Sequence, residues 1–171
     1  LSGEPASGNY PLQSVETMAK IAIATEQGLE SSIANPSGSV RYKATRAVAH
    51  AGVELAKISK AVRLVVATEH GNAPRLVAGH QPGIPITAVS DRIRATRRVQ
   101  LLPGVDSIIV KEHQRGSETM EAAVSALLAD GRLNLGDRVV AISGSPLAMR
   151  GVTSTIRMYR ISKDGTILGA E

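Results

Sequence analysis

The fold of this chain is decided by the stretch Ala61-Val62-Arg63-Leu64-Val65-Val66-Ala67-Thr68-Glu69-His70-Gly71-Asn72-Ala73-Pro74. Residues 61–67 form a short β-branched run, which predicts a buried strand. Residues 68–73 form a glycine-containing turn. Pro74 then lies in the first turn of a short helix that ends near Gly79, a position that proline tolerates because its missing N–H would have no intrahelical partner there.

The same alternation of strand and helix continues toward the C-terminus. Further strands are predicted at 84–89, 107–110, 139–142 and 155–161, with helices that begin at the N-caps Ser90 and Ser117. The pattern predicts an α/β fold, a mainly parallel five-stranded sheet with helices on both faces. The loop before the last strand is too short for a helical crossover, so we expect that strand to be antiparallel and at an edge.

Two helices are predicted before this region. One begins at Pro11, and Val15, Met18 and Ala22 mark its buried face. The second carries an alanine-rich stripe that should pack closely against a neighbour; its positions are Val40, Ala44, Ala47, Val48, Ala51, Leu55 and Ile58. Asn35-Pro36-Ser37-Gly38 is a turn and the best boundary between the two helices.

The composition excludes several classes of protein. The chain has 171 residues, a formal charge of +5, 43% hydrophobic residues and no cysteine, so it can form a core but has no disulfide scaffold, thiolate zinc site or cysteine nucleophile. No apolar run is long enough to span a membrane. The four histidines form no known metal motif, so we expect no metal site. The arginines at 92, 94, 97 and 98 indicate a solvated helix face more than a nucleic-acid surface, and we expect neither nucleic acid nor membrane as a partner.

Two loops should lie beyond the carboxyl ends of the strands, where ligands bind in such sheets. Residues 68–73 could receive a phosphate on backbone N–H groups at the helix start, with Thr68 and Asn72 as side-chain donors. The alternative is an ordinary turn in which those two residues cap the helix. The hydroxyl-rich loop 143–154 includes Arg150, which could pair with a second phosphate or a carboxylate; the alternative there is a surface hairpin.

The first residues allow a third hypothesis. Residues 2–8 are small and polar and predict a loop, on which Ser2 and Glu4 would point the same way and could relay a proton through water. A solvent-exposed loop without such a role is the alternative. The chain starts without Met, as expected for a piece of a longer protein or for a processed one.

The phrase Leu1-Ser2-Gly3-Glu4-Pro5-Ala6-Ser7-Gly8-Asn9-Tyr10-Pro11 resembles the Leu-Ser-Gly-Glu-Thr-Ala-x-Gly-x-Tyr-Pro segment of pyruvate kinases. The similarity continues along the whole chain in the right order. It includes Val65-Val66-Ala67-Thr68-Glu69-His70-Gly71, then Pro82-Gly83-Ile84-Pro85-Ile86-Thr87-Ala88-Val89 with Gln81 where the family has Arg, then Gly136-Asp137-Arg138-Val139-Val140 and Gly151-Val152-Thr153-Ser154-Thr155.

The resemblance implies that residues 1–30 are the last loop and helix of a (β/α)8 catalytic barrel and residues 31–171 the C-terminal α/β domain. The parent would be a cytoplasmic, homotetrameric, allosterically regulated transferase of glycolysis that converts phosphoenolpyruvate and ADP to pyruvate and ATP. Ser2 and Glu4 match active-site positions that help to deliver a proton. Pro5 replaces the usual Thr. The catalytic Lys and the ligands of the cofactors Mg²⁺ and K⁺ belong to earlier parts of such an enzyme, so this chain alone should be inactive.

The resemblance also implies an effector site for a phosphorylated small molecule at Thr68, Glu69, His70, Gly71, Asn72, Ala73, Arg150, Gly151 and Thr153. Activated relatives use hydroxyls at the first, third and sixth loop positions, where this chain has Thr68, His70 and Ala73. Because two hydroxyls are lost and the chain has no Trp, we expect fructose 1,6-bisphosphate to bind weakly. A nucleotide monophosphate or a sugar monophosphate could bind instead.

A free-standing module related to the same C-terminal domain, which binds a phosphate ligand without kinase chemistry, is the alternative function. The barrel phrase at the N-terminus argues against it. The mass of the native polypeptide distinguishes the two hypotheses, because a parent enzyme needs roughly three domains' length.

Overall fold

The computed structural model describes residues 3–28, 43–111, 116–144 and 153–169. It divides the chain into two compact units, Leu1–Ser32 and Ile33–Glu171. Each unit is described by itself below.

The first unit consists of two helices, α1 (Gly3–Ser7) and α2 (Pro11–Gly28). The predicted helix start at Pro11 is confirmed. The predicted loop at 2–8 is wrong, because residues 3–7 form a helical turn in which the Gly8 N–H donates to the Glu4 carbonyl at 2.9 Å. Pro5 is compatible with this turn since N–H groups in a first helical turn have no partner to lose.

The apolar side chains of α2 are exposed within the described residues. Val15 and Met18, predicted to mark a buried face, are 48% and 44% exposed, and Ile21 is 62% exposed. Ala22 is exposed as well. Among residues 3–28, α1 is too short to cover a helix of 18 residues and leaves this face of α2 open.

The second unit is an α/β domain. Its elements in chain order are α3 (Lys43–Ile58), β1 (Arg63–Ala67), α4 (Asn72–Ala78), β2 (Ile86–Ser90), α5 (Ile93–Val99), β3 (Val105–Ile109), α6 (Gly116–Ala129), β4 (Arg138–Gly144), β5 (Thr153–Ile161) and β6 (Ile167–Gly169). Neither predicted N-cap holds: Ser90 is the last residue of β2, where its hydroxyl accepts the Arg92 N–H at 3.2 Å, and Ser117 lies inside α6.

The strands form one sheet in the order β3-β2-β1-β4-β5-β6. The first four strands along this order are parallel, and β5 and β6 are antiparallel to their neighbours. The predicted α/β fold, its mainly parallel sheet and its antiparallel edge are thus confirmed. The sheet has six described strands instead of five, so β5 is internal and β6 forms the edge.

A tight turn after β5 explains the additional strand. The Ser162 hydroxyl and the Thr166 N–H both donate to the Asp164 carboxylate, and these bonds lower the pKa of Asp164 to about 2. Gly165 has a φ of +85°, which other residues rarely adopt. The chain therefore reverses within a few residues and pairs Ile167 with Ile161.

Helices cover both faces of the sheet, as predicted. On one face α3 and α4 bury Leu64, Val66 and Ile142. On the other face α6 packs over Val65 and Val139. The buried face of α6 consists of Met120, Ala123, Val124 and Leu127, and Leu128 is partly buried beside them.

The face that α3 buries differs from the predicted stripe. Val40 lies outside the described residues, and Val48 and Leu55 are half-buried and pack against the core. The other four positions of the stripe are exposed, namely Ala44, Ala47, Ala51 and Ile58. The fully buried residues of α3 are instead Thr45, Ala49, Gly52, Val53 and Ala56. This face has smaller side chains than the predicted one. A Cβ added to Gly52 would lie 2.5 Å from Ile142 Cδ1. The close packing predicted for α3 is therefore achieved, but by a face rotated by one residue.

A polar cluster joins three strands at their amino ends, opposite the loops that follow the strands. Arg63 of β1 donates to the Thr87 hydroxyl at 2.9 Å and to the Asp106 carboxylate at 2.8 Å. The Arg63 side chain is only 12% exposed, and Arg132 lies 3.5 Å from the other oxygen of Asp106. These contacts fix the register of β1, β2 and β3 at the edge away from the candidate site.

We predict that Gly52→Val lowers the free energy of unfolding by about 1–3 kcal/mol, since any larger side chain must displace Ile142 from the face of the sheet. Ala51→Val is the control, because it places the same β-branched side chain at an exposed position of the same helix. Helix propensity alone would make the Ala51 variant the less stable of the two, since valine is a poorer helix former than alanine but a better one than glycine. Urea unfolding of both variants measures the effect. Equal stability of the two variants would show that α3 does not need its close approach to the sheet.

Candidate functional site

The loops that follow the parallel strands share one edge of the sheet. The β1–α4 loop begins at Thr68, and the β2–α5 loop contains Asp91 and Arg92. Because β1 and β2 are adjacent and parallel, with Ala67 opposite Val89, these two loops are neighbours. This edge is where α/β sheets bind ligands.

The β1–α4 loop is a closed turn. The Thr68 N–H donates to the Val89 carbonyl at 2.8 Å, which continues the pairing of β1 with β2. The Thr68 hydroxyl then accepts the Gly71 N–H at 2.8 Å. Gly71 has a φ of +87° and is the N-cap of α4, without a side-chain cap hydrogen bond. Thr68 therefore closes the turn, but neither Thr68 nor Asn72 caps the helix with its side chain as the alternative interpretation expected, and Asn72 is the first helical residue.

Few backbone donors remain at the start of α4. Asn72 and Ala73 occupy the first helical positions, whose N–H groups have no intrahelical acceptor, and Pro74 contributes no N–H. The Ala73 side chain is buried in the core under α3 and α4. Only the backbone of Ala73 is therefore available to a ligand.

An ion pair links this loop to the β2–α5 loop. The Glu69 carboxylate forms an ion pair with Arg92 Nη2, and its second oxygen is 3.8 Å from Nδ1 of His70. Glu69 is 31% exposed and His70 is 61% exposed. The Glu69 carboxylate repels an anion that approaches this loop, and the anion must compete with Glu69 for Arg92.

Arg92 is the residue that sequence reasoning missed. It was assigned with its neighbours to a solvated helix face, but it is the N-cap residue of α5 and lies beside the candidate loop. Its position two residues after the end of β2 is the signal that could have identified it, because that position lies at the carboxyl edge of the sheet.

The other predicted effector residues are only partly described. Thr153 begins β5 opposite Gly144 and is buried, so it belongs to the same edge as Thr68. Since β4 lies between β1 and β5, the two threonines are about 10 Å apart across the strands. Arg150 and Gly151 lie outside the described residues.

The N-terminal candidates are Ser2 and Glu4. Ser2 lies outside the described residues. Glu4 is in α1, not on the extended segment that was predicted, and its Oε1 accepts the Tyr10 N–H at 2.9 Å. The carboxyl group closes over Gly8, where an added Cβ would lie 2.1 Å from Glu4 Cδ. Glu4 thus joins α1 to the start of α2 in this structure.

Within the described ranges no three His, Asp or Glu residues are arranged to hold a metal ion. The helices that the structure describes include none with the length and hydropathy of a membrane span.

Comparison with known proteins gives a consistent result. A family model for the pyruvate kinase alpha/beta domain matches residues 46–159. The pyruvate kinase of Geobacillus stearothermophilus is 32% identical over 164 residues, which are 95% of this chain and 28% of that protein. The pyruvate kinase of Clostridium acetobutylicum is 29% identical over 92% of this chain and 34% of its own length. The chain therefore spans about a third of these relatives.

The fold is also found in a solved structure. The crystal structure of a pyruvate kinase from Cryptosporidium parvum matches 94% of this chain and 32% of that chain with a TM-score of 0.76 and 21% identity. At this identity the similarity shows the shared fold.

We predict that Thr68→Val destabilises the chain by about 1 kcal/mol, because the Gly71 N–H loses its acceptor inside a closed turn. Thr68→Ser keeps the hydroxyl and serves as the control. Urea unfolding of both variants provides the comparison. If the valine variant matched the serine variant, the hydroxyl would not be what closes the loop.

Proposed function

Because this chain belongs to the pyruvate kinase family, we propose that it is the C-terminal part of an enzyme that converts phosphoenolpyruvate and ADP to pyruvate and ATP. The observation that carries the proposal is the family match at 46–159, which extends from α3 to β5 of the α/β unit. The parent would act in the cytoplasm, where the last step of glycolysis takes place.

We assign residues 1–30 to the end of the catalytic barrel and residues 31–171 to the C-terminal domain. The exposed apolar face of α2 supports the first assignment, since Val15, Met18 and Ile21 need a cover that α1 does not provide. Catalytic groups in such barrels lie at the carboxyl ends of strands. Ser2 and Glu4 would deliver a proton there, and Glu4 would have to release the Tyr10 N–H to do so.

The isolated chain should not catalyse the reaction. Phosphoryl transfer depends on metal ions and cations that hold the phosphates. The described residues offer no cluster suited to Mg²⁺, and the family's catalytic Lys has no counterpart among these 171 residues. Mg²⁺ and K⁺ would be bound by earlier parts of the parent.

The role that we propose for the α/β unit is effector sensing and assembly into a tetramer. The β1–α4 loop supports effector sensing, because it combines helix N–H groups with Arg92 and His70 at the carboxyl edge of the sheet. Glu69 limits the affinity, since its carboxylate already neutralises Arg92. The preferred ligand is a compact phosphate group, as in a nucleotide monophosphate or a sugar monophosphate.

We predict that the longer native polypeptide turns over phosphoenolpyruvate and ADP, while the 171-residue chain does not. Pyruvate release followed by a coupled dehydrogenase assay measures both. In the longer polypeptide Glu4→Gln should lower turnover by about 10²- to 10⁴-fold, the usual cost of losing an acid–base group. Turnover by the purified short chain, or a native polypeptide no longer than it, would contradict the proposal.

We predict that phosphate ligands bind the β1–α4 loop weakly, and that added salt weakens their binding further. Salt screens the attraction between a phosphate and the positive charge of Arg92, so affinity for AMP should fall as the ionic strength rises. Glu69→Gln removes the nearer of the two carboxylates beside Arg92 and leaves Asp91, whose Oδ1 lies 3.9 Å from Arg92 Nε. It should raise affinity about tenfold, the value of one charge-assisted hydrogen bond. Calorimetric titration with AMP and fructose 1,6-bisphosphate measures these effects.

Asp130→Asn provides the control for net charge, because Asp130 pairs with Arg132 at the opposite edge of the sheet. It should leave affinity unchanged. Tight binding of fructose 1,6-bisphosphate that does not weaken with added salt would refute the weak-binding assignment. Equal effects of the two substitutions would show that only net charge matters.

A further inference from the structure

His80 is a buried titratable residue that the proposed function does not use. It lies between α4 and β2 and is only 2% exposed. Its backbone N–H donates to the Val77 carbonyl at 3.1 Å, but neither ring nitrogen has a hydrogen-bond partner in the described part of the chain. A neutral imidazole carries one N–H donor and one acceptor, so both are left unsatisfied in the interior. A protonated ring would bury two unsatisfied donors and a charge.

The charged neighbours of His80 come from α3. The His50 ring centroid is 5.5 Å away with the rings tilted by 48°, and Glu54 and Lys57 lie one and two turns further along the same helix. Helix α4 has a single charged residue, Arg75, which is exposed. The connecting residues 79–85 hold no other titratable group. The core beneath α3 and α4 is formed by apolar side chains.

These surroundings disfavour the charged form of the ring. Burial lowers the pKa of His80 below its usual value of 6.5, and positive charge on His50 and Lys57 lowers the pKa further. The Glu54 carboxylate acts in the opposite direction and is outweighed. His80 therefore favours the neutral form and takes up a proton at a lower pH than a histidine with the ordinary pKa does.

We propose that His80 makes the packing of α4 against α3 acid-sensitive. When the ring takes up a proton, a charge without hydrogen-bond partners lies in the layer between the two helices, and α4 loosens from α3. The β1–α4 loop is continuous with the other end of α4. Acid would therefore loosen the candidate effector loop through its helix. This inference concerns the α/β unit itself and stands whether or not the loop binds a phosphate.

The sign of the effect follows from proton linkage. The folded state binds fewer protons than the unfolded state between the lowered pKa of His80 and the ordinary value of 6.5. The stabilisation is thus fully present above the ordinary value and declines as the pH falls through this window. In this pH window, unfolding of the wild-type chain should take up about one more proton than unfolding of a variant without His80.

The primary experiment is urea unfolding of the 171-residue chain with EDTA present, so that no metal can bridge the two imidazoles. The midpoint of the wild-type chain should fall between about pH 7.5 and about pH 5.5 by more than that of His80→Met, whose flexible apolar side chain can occupy the same space. His70→Gln removes an exposed histidine and should keep the full pH dependence. The proposal is overturned if wild type and His80→Met lose the same stability on acidification.

Two further measurements apply if His80→Met fails to fold. In the wild-type chain the ring protons of His80 should titrate by NMR below pH 6.5, and His50→Gln should move this titration to higher pH, because one source of positive charge is removed. Hydrogen exchange should show that the amides of α4 lose protection on acidification before those of β1. Titration of His80 at or above the usual value, or acid-induced exchange confined to other elements, would exclude the acid-sensitive contact.

Discussion

Strand β1 has no side that faces water. Leu64, Val65 and Val66 are each fully buried, and hydrogen-bonded neighbours flank the strand on both edges. A strand in this position must be covered on both faces, which requires helices above and below the sheet. On one face α3 covers the strand and approaches the sheet closely at Gly52. On the other face the apolar side of α6 covers it.

The candidate site follows from the same constraint. A parallel strand buried on both faces leaves its carboxyl end as a place where loops reach solvent. The β1–α4 loop is held there by Thr68 and Gly71, and Glu69 ties it to Arg92 of the next loop. The loop is therefore ordered by its own contacts before any ligand is considered. Under the proposed function a ligand would have to exchange one of these contacts for its own, and Glu69 would therefore limit its affinity.

The opposite edge of the sheet, at the amino ends of the strands, holds the strands in register. Arg63, Thr87 and Asp106 join three strands in a polar cluster, in which Arg63 and Thr87 are withdrawn from solvent and Asp106 is partly exposed. Breaking such a pair leaves a charge without its partner, so these residues stabilise the register. The polar cluster lies at the amino ends of the strands, and the candidate site lies at their carboxyl ends. The sequence of the loops at the carboxyl ends can therefore vary without altering the strand pairing.

The order of strands and helices, the turn at Gly71 and the family could be predicted from residues close together in the chain, because hydrophobic period, turn chemistry and motifs are local properties. The short helix α1 and the strand β6 were missed, since one depends on Glu4 reaching Tyr10 and the other on pairing with β5. The sequence predicted Thr68 and Glu69 as residues of the candidate site but did not point to Arg92, which the structure places beside Glu69. Only tertiary structure decides which face of α3 is buried, which charge meets Glu69, and that His80 lies buried beside His50, because each depends on contacts between elements far apart in sequence.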